Sequence, residues 1–294
     1  MENGRWSPSL SKRSPGSRKS GAEQAHMLDD GHSLENIEAR NGELREQLAA
    51  QQLRTFSRWW NSVLARRTIG TPMLIHDLCE EVRSGELAIV LLEELLGTHV
   101  RVPHPHAQTR FQMLENQNHF LMLLKRRGLR LVNIGAEDLV DGKRTMLLGL
   151  SWTLILRFEI QRYGANELEL MQWVKESIYD YHVDVSSWEQ SFSNGLAFTA
   201  LIHEYAPEAY ETQFAAHATA EPLAMLRSAF SLAEEHLCVP RLLDEEELAR
   251  GVADKRSVIT YVAKLRHSCI ERRLEQQRRE SAKVEEWGAR RGCR

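Results

Sequence analysis

The stretch LVNIGAEDLVDGKRTMLLGLSWTLILRFEI, residues 131–160, decides how the chain is read. From Thr145 onward, Met146, Leu147, Leu148, Leu150, Trp152, Leu154, Ile155, Leu156, Phe158 and Ile160 put apolar surface on every side of a helix. Such a helix is the central one of a multi-helix core or is partly covered by something outside the chain. Arg157 and Glu159 interrupt it, and it is shorter than the roughly 18 residues a bilayer span requires. Lys143 and Arg144 stand at its start, where the helix dipole is positive and each exposed cation costs a few tenths of a kcal/mol. Two readings follow: solvent tolerates the pair, or it faces an acidic partner. Gly149 sits mid-helix at a cost of about 1 kcal/mol relative to Ala, and close approach of another backbone is the expected reason.

Working outward, the pattern stays helical. Leu, Ala, Glu and Arg dominate and alternating strand-like runs are almost absent, so the fold class is all-α. Residues 1–22 are rich in Ser, Pro, Gly, Lys and Arg with little to bury, and a disordered tail is expected over 1–33. A helical lead-in over 34–50 starts with Ser33 as cap, carries Leu34, Ile37, Leu44 and Leu48, and is interrupted by Asn41-Gly42. A strong amphipathic helix follows, with Leu53, Phe56, Trp59, Trp60, Val63 and Leu64 against Arg54, Arg58, Arg66 and Arg67.

An internal repeat then appears. GELAIVLLEEL from Gly85 resembles GLAFTALIHEY from Gly195, an offset of 110, and Phe120 and Phe230 repeat it. Trp59 and Trp173 lie 114 apart. The order and offset indicate a duplicated unit of four main helices, spanning 51–163 and 164–270, joined near Gly164 and Asn166. Residues 271–294 read as a charged helical tail, either a solvated extension or the start of a coiled coil.

Charge separates the two copies. Residues 51–164 hold 15 Lys/Arg and 11 Asp/Glu, a net of +4; residues 165–270 hold 8 and 17, a net of −9. Residues 1–50 net −1 and 271–294 net +3. The basic copy is the one suited to an acidic partner. Between Glu176 and Leu226 there is no Lys or Arg and eight acids, which argues against nucleic acid or anionic lipid as a ligand of that face. Four scattered cysteines make neither a disulfide framework nor a zinc motif and read as free thiols of the cytoplasm. No apolar leader is apparent at the N-terminus. His104 and His106 flank a proline and form a poor chelate, so no metal is expected. Phosphate-binding loops and nucleophile elbows are absent, and nothing supports catalysis or a cofactor.

The residues resemble a known family. QLRTFSRWWNSVLA and VNIGAEDLVDGKRTMLLGLSWTLILRFEIQ look like the start and end of a type 1 calponin-homology domain. ELELMQWVKESI, WEQSFSNGLAFTALIHEYAPEAY, AFSLAEEHLCVPRLLDEEEL and DKRSVITYVAKL look like a type 2 domain. The tandem order resembles the actin-binding domain of the α-actinin, spectrin and plectin group, and so implies a non-enzymatic, cytoskeletal binder of F-actin. The resemblance carries the actin contact over to Leu53, Phe56, Arg58, Trp60 and Asn61 of the first helix. It adds Lys143, Arg144, Leu148, Trp152 and Leu156 of the last helix, and Leu168, Met171 and Lys175 at the start of the second domain. A contact between the two domains is expected. An alternative is a cytoskeletal scaffold whose domain pair binds microtubules or another protein. Ser84 and Asn194 replace the Asp usual before Gly85 and Gly195, and Trp60 replaces an aliphatic residue. The cation-free stretch argues against phosphoinositide regulation. Nothing in the sequence fixes an oligomeric state.

Overall fold

A computed structural model describes residues 21–67, 73–210 and 221–292. No strand occurs among them. Among these, residues 21–47 belong to one unit and those from 48 onward to another. Helix α1 spans Gly21–Leu64. It starts well before Ser33 and passes through Asn41-Gly42 without a break, because Ala22, Glu23, Gln24 and Ala25 are good helix formers and one exposed Gly costs only about 1 kcal/mol. The expected cap at Ser33 and the interruption are therefore absent, and the part of the expected tail over residues 1–20 lies outside the described residues.

The larger unit contains two helical bundles. The first uses the end of α1, α2 (Leu78–Glu81), α3 (Glu86–Leu96), α4 (Arg110–Arg126), α5 (Ala136–Val140) and α6 (Arg144–Ile155). A wider π-helical turn, Leu156–Ile160, continues α6. The second bundle uses α7 (Glu167–Ser177), α8 (Leu196–Tyr205), α9 (Pro222–Leu237), α10 (Glu245–Ala249) and α11 (Lys255–Gly292). Local chemistry marks the helix starts. Thr109 and Gln112 form a capping box on α4, and Asn166 with Glu169 forms one on α7. Asp244 accepts from Glu246 and Glu247 N–H at the start of α10.

The repeated glycines have one steric job. Gly85 has φ +76°, and a Cβ there would lie 2.7 Å from Asn116 Cβ. Gly195 has φ +79°, with Leu226 N 3.2 Å from its would-be Cβ. Each lets the helix it opens press against the next main helix of its bundle. Ser84 and Asn194, each one residue before the N-cap glycine, still accept a first-turn N–H: Ser84 Oγ from Glu86 N at 3.3 Å and Asn194 Oδ1 from Leu196 N at 3.0 Å. Asn116, fully buried, satisfies its amide by accepting from His104 N and donating to Ser84 O and His104 O, each at 2.9 Å. This bond set fixes the V-P-H-P-H loop.

Trp59 and Trp60 are both fully buried. Adjacent helical positions point about 100° apart, so α1 is covered on two sides. Trp60 therefore faces inward, its indole N–H donating to Ser151 Oγ at 3.0 Å. In the second bundle Phe192, Phe198, Phe230 and Tyr261 form a buried aromatic cluster with tilted or edge-on contacts.

Gly149 receives no backbone. Within 4 Å, a Cβ there would meet only Ile134 Cδ1, at 3.9 Å. Close backbone packing therefore does not explain it. Gly149→Ala should raise the stability of the folded chain by about 0.5–1 kcal/mol, read as a higher urea midpoint with unchanged slope. The Tyr261 hydroxyl is buried without a hydrogen-bond partner, so Tyr261→Phe should leave the melting temperature unchanged or raise it.

Candidate binding surface and the seam between the bundles

The expected contact residues differ in where the fold places them. Phe56 and Trp60 are fully buried, and Leu148 and Met171 are 7% and 9% exposed. They are core residues, because the helices bearing them are covered on more than one side. Their side chains are not offered to a partner in this arrangement. Asn61 is a structural clamp: its amide donates to Ile75 O at 2.9 Å and accepts from Ile75 N at 2.7 Å, fixing the chain after α1. Leu53 and Leu156 are half-buried against the core. Lys143 and Lys175 are exposed, and Leu168 is 78% exposed. Arg144 is partly buried.

Lys143, the first of the basic pair at the start of α6, has an intramolecular partner. Lys143 Nζ donates to Asp138 Oδ1 at 2.6 Å, and Arg110 reaches Asp141 at 2.5 Å. The hydrogen bond to Asp138 pushes Lys143 above the usual ammonium range and, with the Gly135 N–H, holds Asp138 below the usual carboxylate range. The α5 carboxylate thus offsets the unfavourable dipole position of Lys143. At this exposure such a pair contributes little stability.

Two further residues of the expected face are engaged by the second bundle. Arg58 donates to Leu242 O at 3.2 Å and Leu243 O at 3.0 Å. Trp152 stacks on Phe56, with ring centroids 6.4 Å apart, while the Arg256 guanidinium sits 5.3 Å from its ring centroid. Around them Gln51 donates to Val252 O (3.0 Å) and accepts from Asp254 N (2.7 Å). Gln52 donates to Asp254 Oδ1 (2.8 Å), and Arg54 pairs with Glu247 (2.5 Å).

The most buried charges lie at the other end of this seam. The π-helical turn directs Glu159, 3% exposed, toward α11. Its Oε1 accepts from Trp59 Nε1 at 2.9 Å and faces Lys264 Nζ at 3.4 Å; its Oε2 lies 3.3 Å from His267 Nδ1. His267 Nε2 in turn lies 2.7 Å from Glu271, which also faces Arg162 at 3.9 Å. Burial alone would raise the Glu159 carboxyl, yet the His267 bond, the Lys264 charge and the Trp59 indole outweigh it and hold the pKa at about 2. Burial pushes the Lys264 ammonium down; Glu159 pulls it back and Arg66 pushes it further down. The two shifts point opposite ways about the pair. Glu159, with three converging partners, is the better satisfied partner and the one whose ionisation stabilises the seam.

Sequence reasoning passed over Gln51, Gln52, Glu159, Arg256, Lys264 and His267. Glu159 carried one signal, an acid inside an otherwise apolar helix. Cys79, Cys238 and Cys269 are free thiols. Among the described residues no His/Cys/Asp/Glu group could hold a metal, and no helix is long and apolar enough to cross a membrane.

Two helical bundles of this kind, each opened at an equivalent left-handed glycine, define a tandem helical module. The profile of the calponin homology (CH) domain matches residues 50–160 and 165–271, and the chain belongs to that family. It is similar to sarcomeric alpha-actinin of Drosophila melanogaster, 36% identical over 257 residues, covering 82% of this chain and 27% of that protein. Alpha-actinin-4 of Bos taurus is 34% identical over 261 residues, covering 86% and 28%. The chain thus spans little more than a quarter of these relatives. Among solved structures, the actin-crosslinking core of Schizosaccharomyces pombe fimbrin superposes with a TM-score of 0.59 at 21% identity, covering 74% of this chain and 48% of that one. That likeness concerns the fold.

Glu159 has a folded pKa below its ordinary 4.5, so its contribution is complete above about 4.5 and is lost as pH falls toward about 2. Glu159→Gln should cost roughly 3 kcal/mol at neutral pH by leaving Lys264 buried without its counter-charge. Urea titrations should show that difference shrinking through the same acidic window.

Proposed function

We propose that the chain is a non-enzymatic F-actin-binding module of a cytoskeletal protein. Its first, basic domain makes the main contact, and its second, acidic domain limits access. The net charges of +4 over residues 51–164 and −9 over 165–270 support this division, since an acidic filament attracts one and repels the other. Membership of the CH family and the similarity to alpha-actinins support the partner.

The observation that carries the reading is the capture of Arg58 and Trp152. Both belong to the face assigned to the filament, and both are held by the second domain. The contact set is then Leu53, Arg58, Trp152 and Leu156, framed by Lys143, Arg144, Leu168 and Lys175, while Phe56, Trp60, Asn61, Leu148 and Met171 hold that face in shape. Separation of the domains frees Arg58 and Trp152, so any ligand favouring the separated state shifts the population toward it.

The test is sedimentation of the purified chain with F-actin at two salt concentrations, beside a Gln52→Ala/Arg256→Ala variant that loosens the seam. The parent should pellet with the filament, more weakly at high salt. The variant should bind several-fold tighter. Equal or weaker binding by the variant rules out restraint by the second domain, and pelleting with microtubules instead of actin favours the scaffold reading. Lys143→Glu should reduce both binding and its salt dependence.

A further inference from the structure

Away from the seam, the first bundle carries a shallow groove between α4 and α5. It is lined by Asn118, Leu121, Met122, Lys125, Arg126, Ile134, Gly135 and Ala136 and encloses about 530 Å³. Its floor is apolar, and its two charged lining residues are both cations. Arg127 and Arg130 extend the charge beyond the groove, and all four cations are exposed. None of the four enters an ion pair within the described residues, unlike Arg54, Arg83, Arg110 and Lys143 of the same bundle. Met122 is 37% exposed and Val132, on the connection that leads into α5, is 73% exposed.

The helix dipole accounts for part of this. Lys125 and Arg126 lie in the last turn of α4, where cations complement the free carbonyls. It extends to Arg127 at the C-cap but gives no reason for Arg130, nor for an apolar floor beside it. The acid beside the groove does not neutralise the group, because Asp138 is committed to Lys143 and the Gly135 N–H. Four like charges within six residues repel one another unless an anion covers them.

We infer that this groove is a docking site for an acidic peptide segment that carries an aliphatic anchor. The cations select the acidic side chains, the Leu121–Met122–Ile134–Ala136 floor takes the aliphatic one, and Asn118 offers an amide to the peptide backbone. A simple anion would have no use for the floor. A bilayer is a poor fit, because the site is concave and its exposed apolar side chains include no aromatic residue. This is a second surface of the first domain, independent of the filament reading.

The test uses the full chain and fluorescence anisotropy of a short labelled peptide of Glu and Leu. Two controls accompany it, one with Lys in place of Glu and one with Ser in place of Leu. The Glu/Leu peptide should bind with a salt-sensitive affinity, the Lys peptide should not bind, and the Ser peptide should bind at least about tenfold more weakly. Lys125→Glu/Arg126→Glu and Met122→Asp, all at exposed positions, should each weaken binding about tenfold or more while leaving the melting curve and F-actin pelleting unchanged. Equal binding of the Glu/Leu and Ser peptides, or unchanged affinity in both variants, overturns the site. Loss of F-actin pelleting in the charge-reversed variant also overturns it, by assigning these cations to the filament face. Failure of the parent chain to pellet with actin leaves the peptide result intact and counts only against the filament reading.

Discussion

One buried carboxylate organises the seam of this molecule. Glu159 collects the Trp59 indole from its own bundle and the Lys264 and His267 side chains from the other. An ionised carboxyl out of water is expensive, and removing Lys264 would leave its charge uncompensated. Such an arrangement adds little net stability over an apolar contact but is demanding about geometry. It therefore defines how α6 and α11 meet more than it strengthens the meeting. The amide bonds of Gln51 and Gln52 to the region around Asp254 set the opposite end of the seam by the same directional logic.

Within each bundle the constraint is steric. Gly85 and Gly195 sit in left-handed backbone where a side chain would be strained, and Gly85 allows an approach closer than a Cβ would permit. The repeat offset of 110 is thus the visible trace of a packing rule used twice. The residues before them changed identity without losing their task, since Ser84 and Asn194 still accept a backbone N–H.

These features differ in how readable they were from sequence. The all-helical class and the duplication followed from periodicity and spacing, because apolar burial imposes a 3.6-residue pattern. The side on which each aromatic packs did not follow. Phe56 and Trp60 belong to a helix enclosed on two sides, and the sequence contains no record of which neighbours enclose it. Trp59 and Trp60 look equivalent on paper and end in different polar contacts, one on Glu159 and one on Ser151. The role of Glu159 depends on a π-helical turn that rotates it away from its α-helical bearing, and no propensity in L-R-F-E-I announces such a turn. The start of α1 and its passage through Asn41-Gly42 are not legible locally, because the cooperativity of a long helix overrides weak breakers.

Helix α11 is one uninterrupted rod from Lys255 to Gly292. Its first half carries Lys264 and His267 into the seam, and residues 273–283 beyond it are exposed and dense in charge. No proline or swivel separates the two, so twisting or bending applied to the outer half travels along a single ladder of backbone hydrogen bonds. A force applied to the outer half would therefore reach the residues that grip the neighbouring domain.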